Sequence, residues 1–189
     1  MTCEAMVVMT LTVPVYKLLL VGNANVGKSS LIRRVLLGEF DPKYQATAGV
    51  DLSAIAINVD AFTPVILTCI DLGGQEDFSA LRTQYYKGAH FALLVFDVTS
   101  RESFESLPDW HRGLEETVSA IERRDLKGFV VANKVDMTDR RVTKLEALRF
   151  SESIGWPYIE TSAKTGLNVD GLFKRVAKTL FAQSPPVRR

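Results

Sequence analysis

The chain has 189 residues, of which 47% are apolar, so it is long enough for the core of one domain and too short for two comfortable ones. Its 23 basic and 22 acidic residues nearly balance, which argues against nucleic acid or an acidic membrane as the main partner. The two cysteines, Cys3 and Cys69, lie far apart in sequence and indicate a reducing compartment rather than a disulfide scaffold.

The N-terminal segment, residues 1–14, is mildly apolar but lacks the features of a targeting signal. It carries Glu4 and no basic start, so a secretory signal peptide is not expected. Thr2 stands where N-myristoylation requires a glycine, and no segment approaches the roughly 20 apolar residues that span a membrane. We therefore expect a cytoplasmic protein in which this segment extends a single domain over residues 15–181.

The stretch VYKLLLVGNANVGKSS combines a buried strand with a phosphate-binding loop. Its residues have the spacing G-x-x-x-x-G-K-[ST], in which backbone N–H groups point at an anion and a helix begins beside it. The Lys28 ammonium can reach the β and γ phosphates, and the Ser29 hydroxyl suits Mg²⁺. The motif alone does not separate ATP from GTP. The predicted phosphate-binding residues of this loop are Gly22, Asn25, Val26, Gly27, Lys28, Ser29 and Ser30.

Strands and helices alternate along the rest of the chain. Strands are predicted over residues 52–59, 65–70, 91–96, 128–132 and 158–160, and helices over 29–37, 110–124, 143–153 and 169–180. The first two of these strands are expected to pair as a hairpin. The alternation predicts a parallel sheet covered on both faces, with ligands at the carboxyl ends of the strands. The apolar pattern of four predicted strands stops at this edge, at Gly22, Asp71, Asp97 and Asn133.

The segment DLGGQ, which begins at Asp71, carries the predicted catalytic groups. A carboxylate at the end of a buried strand is costly unless a cation accompanies it, so Asp71 is predicted to face Mg²⁺ through water. Gly74 would allow a backbone N–H to approach a γ phosphate. The amide of Gln75 can both accept from and donate to water, which is what holding an attacking water in line with the γ phosphorus requires. We therefore predict Gln75 and Lys28 as the catalytic residues.

The segment NKVD predicts that the base is guanine. The Asp136 carboxylate can accept from the two donors on the N1 and N2 edge of guanine, whereas adenine offers no such pair and would leave the charge unpaired. Backbone N–H groups of the later segment SAK are predicted to reach the guanine oxygen. The predicted guanine-binding residues are Asn133, Lys134, Asp136, Ser162, Ala163 and Lys164.

Five motifs occur in order along residues 16–180: GNANVGKS, a threonine at Thr47, DLGGQ, NKVD and SAK. Together they resemble the motifs of the Ras superfamily of small GTPases. The segments YKGAHFALLVFDVTSRESF and YIETSAKTGLNV are most similar to its Rab branch. The resemblance implies an α/β P-loop NTPase fold, the small G domain, with a six-stranded mixed, mostly parallel sheet and five helices on both faces. It also implies GTP and GDP as ligands, Mg²⁺ as cofactor, and two switch loops that the γ phosphate orders.

Single residues take roles from the same resemblance. Thr47 would close on magnesium and the γ phosphate, Gly74 and Gln75 would begin the second switch, and Lys134 would lie along the purine face. Effector, exchange-factor and GTPase-activating proteins would bind a monomer through residues 40–52 and 70–86.

The chain also departs from the family pattern. Leu72 and Gly73 replace a threonine and an alanine, which is closer to the Arf style and is expected to loosen the backbone before Gln75. Of three aromatic effector positions in Rab proteins only one is aromatic here, since the matching residues are Leu52, Ile70 and Tyr85. Residues 182–189 are predicted to be a disordered tail, and their sequence shows no cysteine for prenylation.

These observations predict a switch that binds GTP and GDP with Mg²⁺ and hydrolyses GTP slowly, in intracellular membrane or vesicle trafficking. Two alternatives remain at this stage. One is a nucleotide-stabilised interaction subunit of a trafficking or ciliary complex, which the altered effector positions favour and Thr47 and Gln75 oppose. The other is an ATP-using phosphate-loop kinase, which NKVD opposes. The sequence names no membrane, effector or regulator.

Overall fold

Six strands form one sheet in the computed structural model, which describes residues 13–41, 47, 49–73, 84–122 and 125–183. They are β1 (Val15–Val21), β2 (Val50–Asn58), β3 (Pro64–Leu72), β4 (Phe91–Asp97), β5 (Gly128–Asn133) and β6 (Tyr158–Glu160). The strand order is β2-β3-β1-β4-β5-β6, with β2 antiparallel to β3 and every other pair parallel. The predicted mixed, mostly parallel sheet is confirmed, and the predicted hairpin supplies its antiparallel edge.

Five helices that cover the sheet have both ends within the described part of the chain. They are α1 (Lys28–Leu37), α2 (Arg101–Glu105), α3 (Leu107–Glu122), α4 (Lys144–Ser153) and α5 (Val169–Gln183). The alternation of side chains along β1 separates the core into two clusters. Leu18 and Leu20 pack with Phe173 of α5 on one face, while Leu19 and Val21 pack with Leu114 of α3 on the other. Helices therefore lie on both faces, as predicted.

The helix after β4 differs from its prediction. A helix was expected from residue 110, but the structure has the short α2 and then α3, which begins at Leu107. The side chain of Ser100 caps α2 by accepting from the backbone N–H of Ser103. Pro108 lies in the first turn of α3, where its missing N–H leaves no helical bond unmade. A serine cap and a proline were the local signals for this division.

The ends of the chain bear on the predicted domain boundaries. Helix α5 continues to Gln183, two residues into the segment predicted as a tail, and residues 184–189 lie outside the described residues, as do 1–12. No helix in the described ranges is both long and apolar enough to cross a membrane. Cys69 is buried in β3, and burial together with the nearby Asp71 charge raises the pKa of its thiol to about 12.

Candidate functional site

The phosphate-binding loop connects β1 to α1 and packs against the end of β4. Gly22 has a φ of 138°, and a Cβ on it would lie 2.1 Å from the carbonyl oxygen of Val95. Only glycine can bring the backbone this close, so the first position of the motif is required by packing as well as by the turn. Val26, in the middle of the loop, is fully buried in the core and anchors it there.

Lys28 begins α1 and directs its ammonium back over the loop. The side chain is only 6% exposed, and Nζ donates to the carbonyl oxygens of Gly22 at 2.8 Å and Asn23 at 2.9 Å. A carbonyl oxygen accepts a hydrogen bond from the ammonium but carries no formal charge. The loop therefore holds a nearly buried positive charge at its mouth, which suits an anionic ligand.

Asn23, which the sequence did not single out, fastens the loop to α3. Its Oδ1 accepts from the indole Nε1 of Trp110 at 2.8 Å, and its Nδ2 donates to the Ser106 hydroxyl at 3.1 Å. Both partners are more than eighty residues away in the chain. No local pattern could have indicated this contact, because it depends on how α3 packs on the sheet.

Ser29, Thr47 and Asp71 converge beside the loop. The Ser29 hydroxyl donates to Oδ2 of Asp71, and it lies 2.7 Å from the Thr47 hydroxyl, which itself donates to the same Oδ2 at 3.1 Å. The second carboxylate oxygen, Oδ1, is buried and has no hydrogen-bond partner among the described residues. One carboxylate and two hydroxyls are hard oxygen donors, and the unsatisfied Oδ1 needs a donor or a cation. The residues present therefore fit Mg²⁺.

Gly73 lies two residues after Asp71 and contacts the segment that carries Thr47. Its N–H donates to the carbonyl oxygen of Gly49 at 2.8 Å, which continues the pairing of β2 with β3. A Cβ on Gly73 would lie 2.9 Å from the carbonyl oxygens of both Thr47 and Gly49. This glycine was expected to loosen the chain, but its backbone is held, and its missing Cβ allows close approach of the Thr47 segment.

An alanine at Gly73 should therefore displace Thr47. We expect Gly73→Ala to weaken Mg²⁺-dependent GTP binding about tenfold, at the usual cost of overpacking, and to weaken GDP binding less. Titration of labelled GTP and GDP at several Mg²⁺ concentrations measures both effects. Gly113→Ala is the control, because a Cβ there meets no atom within 4 Å. Equal losses for the two nucleotides would contradict a role through Thr47.

Asn133, at the end of β5, joins the phosphate loop to the SAK segment. Its Nδ2 donates to the carbonyl oxygen of Val26 at 2.9 Å, while Oδ1 accepts from the backbone N–H of Ala163 and the Thr161 hydroxyl, each at 3.2 Å. The side chain is buried. A single amide with both donor and acceptor capacity can bridge two loops in this way. Asn133 thus brings the predicted phosphate-binding and guanine-binding segments together.

Asp136 and Lys134 lie beside this bridge. One oxygen of Asp136 accepts from the Ser162 hydroxyl at 2.6 Å, and the other lies 3.9 Å from the Lys164 ammonium. Lys134, which has a φ of 64°, pairs with Asp97 at 2.6 Å. Asp97 had been noticed only as a polar residue after a strand, yet it fixes the lysine that was predicted to lie along the purine.

The described residues thus bring most of the predicted site together at one edge of the sheet. Gly74 and Gln75 lie outside the described residues, so their roles stay predictions. No group of three or more His, Cys, Asp or Glu side chains able to hold a metal occurs in the described ranges. The predicted magnesium ligands, by contrast, include two hydroxyls and one carboxylate.

Comparisons with known proteins agree with this geometry. Residues 17–182 match the Ras family. The chain is 38% identical to the human Ras-related protein Rab-30 over 89% of its own length and 81% of that protein. Identity is 38% to Rab-18 of Caenorhabditis elegans and 36% to Rab-13 of the dog, with the same coverage. The chain therefore belongs to the Ras family of small GTPases, which bind and hydrolyse GTP, and within that family it is Rab-like.

Proposed function

We propose that this GTPase is a slow, magnesium-dependent molecular switch. The observation that carries the proposal is that three groups lie at one edge of the sheet. They are a buried lysine, the cluster of two hydroxyls and a carboxylate that fits Mg²⁺, and the carboxylate predicted to bind guanine. Lys28 follows β1, Asp71 lies near the end of β3, and Asp136 follows β5. The carboxyl ends of parallel strands are where open α/β sheets bind nucleotides.

We assign each residue a role from its chemistry. Lys28 and the loop N–H groups would stabilise charge on the β and γ phosphates, and Gln75 would orient the attacking water. Bound Mg²⁺ would supply Lewis-acid neutralisation of phosphate charge. Ser29 and Thr47 would hold the ion directly, and Asp71 would hold it through water. The hydroxyl of Thr47 lies at this cluster, so a γ phosphate bound there would favour this position of Thr47.

Base selection would depend on Asp136. The Ser162 hydroxyl and the Lys164 ammonium hold the carboxylate in place, and such preorganisation reduces the cost of ordering it on binding. Guanine would supply the remaining two donors. Adenine would leave the carboxylate desolvated and without them, which disfavours the alternative of an ATP-using kinase.

The hydrolysis reaction should depend on Gln75. We expect bound GTP to be hydrolysed on the order of 10⁻⁴ per second without a partner, and Gln75→Leu to slow this at least about tenfold, because leucine cannot position water. Single-turnover phosphate release from preloaded protein is the measurement, with Gln84→Leu as a control for the same substitution nearby. Parent-like hydrolysis by Gln75→Leu would remove Gln75 from the mechanism.

We propose that the partners are effectors and regulators at an intracellular membrane, which the protein would join peripherally from the cytoplasm. The likeness to Rab proteins supports this setting. The surface that would meet effectors is altered, however, since Leu52 is 61% exposed and Ile70 is buried at 3%. This alteration also favours the second candidate, an interaction subunit of a trafficking or ciliary complex with little turnover. An effector footprint that persists in GDP would support that candidate.

A further inference from the structure

The guanidinium of Arg34, on α1, donates hydrogen bonds to the backbone of the SAK segment. Its Nε donates to the carbonyl oxygen of Ala163 at 2.7 Å, and its Nη2 donates to that of Lys164 at 2.5 Å. Two consecutive carbonyls of the predicted guanine-binding segment are thus bound by one planar group. A guanidinium can do this because its donors form a rigid fork.

The same side chain also closes the end of its own helix. Nη1 donates to the carbonyl oxygen of Gly38 at 2.6 Å, and the N–H of Gly38 donates to the carbonyl oxygen of Arg34 at 3.0 Å. Gly38 is where the chain leaves α1 toward the segment that carries Thr47. Arg34 therefore connects the SAK segment with the C-terminal end of α1.

The support for this arginine is rigid. Leu31 and Ile32, on the preceding turn of α1, are buried in the core, so the backbone from which Arg34 projects is fixed. All three of the hydrogen-bond partners that the described residues give Arg34 are backbone carbonyls. Bonds from a charged donor are about twice as strong as neutral ones, and here they act on loop backbone rather than on another side chain.

We propose that Arg34 is a positioning residue for guanine recognition. Resting on the proposed function, the inference is that its hold on the Ala163 carbonyl fixes the plane of the following peptide bond, and with it the direction in which the Lys164 N–H points. That N–H would meet the C6 oxygen of guanine. Arg34 touches no nucleotide itself, and its effect reaches the base only through the loop.

Arg34→Ala should therefore weaken binding only of bases that carry the C6 oxygen. We expect the affinity for GDP to fall about tenfold, as for the loss of one charged hydrogen bond. The diphosphate of 2-aminopurine riboside keeps the 2-amino group but has neither the C6 oxygen nor the N1–H of guanine. The missing N1–H should weaken its binding to parent and variant alike, so its affinity should change less than about twofold between them. Equilibrium competition against labelled GDP measures both nucleotides on the same folded protein.

Two further variants make the experiment decisive. Arg33→Ala removes the same charge from the neighbouring position of α1 and should leave both affinities close to the parent. Arg34→Lys should be intermediate, because an ammonium lacks the fork that reaches several carbonyls at once, and it also serves if Arg34→Ala fails to fold. Equal losses for the two nucleotides, or losses no greater than those of Arg33→Ala, would overturn the inference. A parent protein that does not bind GDP would instead refute the proposed function.

Discussion

Asp136→Asn is expected to lower the affinity for GDP and GTP by at least about 100-fold, because two charge-assisted hydrogen bonds to guanine would be lost. The fold should survive, since the asparagine oxygen can still accept from the Ser162 hydroxyl that holds Asp136 at 2.6 Å. The new amide N–H₂ is a donor and suits xanthine, which has a carbonyl oxygen at C2 where guanine has an amine. We therefore expect xanthosine diphosphate to bind the variant better than GDP does.

Competition of xanthosine and guanosine diphosphates for a labelled nucleotide measures this exchange of specificity. Asp139→Asn is the matched control, since it makes the same chemical change at an exposed residue three positions along the chain. It should keep the preference of the parent. Retained guanine preference in Asp136→Asn would mean that this carboxylate does not read the base.

Lys28→Ala should abolish most nucleotide binding. The ammonium of Lys28 is nearly buried and donates to the carbonyl oxygens of Gly22 and Asn23 at the mouth of the loop, where a phosphate would add an opposite charge. Removing it should lower GDP affinity by at least about 100-fold, as for loss of a charged hydrogen-bonding group at a desolvated site. The rise in unfolding temperature on addition of GDP and Mg²⁺ should fall accordingly, since a ligand that binds only the folded state stabilises it by RT ln(1 + L/Kd), where L is the free ligand concentration.

The control for this variant is Lys174→Ala, which removes an exposed lysine on α5. It should keep the full GDP-induced shift. Thermal unfolding of Lys28→Ala without nucleotide shows whether the fold itself is intact. A folded Lys28→Ala protein with the parent's shift would show that Lys28 does not contribute to phosphate binding.

Much of the fold could be predicted because its signals are local. The period-2 pattern of β2 buries Ile55 and Ile57 and exposes Leu52, as expected for an edge strand. The antiparallel hairpin follows from two such runs with Pro64 at the start of the second. The predicted helix from Thr143 differs by one residue, because Thr143 forms the N-cap in a capping box with Glu146.

The site was predicted where a motif has fixed spacing, and it was incomplete where support comes from distant elements. The loop from Gly22 to Ser29 is one such motif. Trp110, which holds Asn23, and Arg34, which holds Ala163, are 87 and 129 residues from their partners. Such contacts depend on the packing of helices on the sheet, and no spacing in the sequence encodes them.

The central claim is that this domain binds GTP with Mg²⁺ and hydrolyses it slowly. It is tested most directly by loading the purified protein with GTP, adding Mg²⁺, and following phosphate release over hours. The account predicts phosphate release on the order of 10⁻⁴ per second that requires Mg²⁺. It also predicts that excess ATP does not displace the bound GTP. Stable GTP loading with no phosphate release would contradict it and favour an interaction subunit, and displacement by ATP would contradict the guanine site.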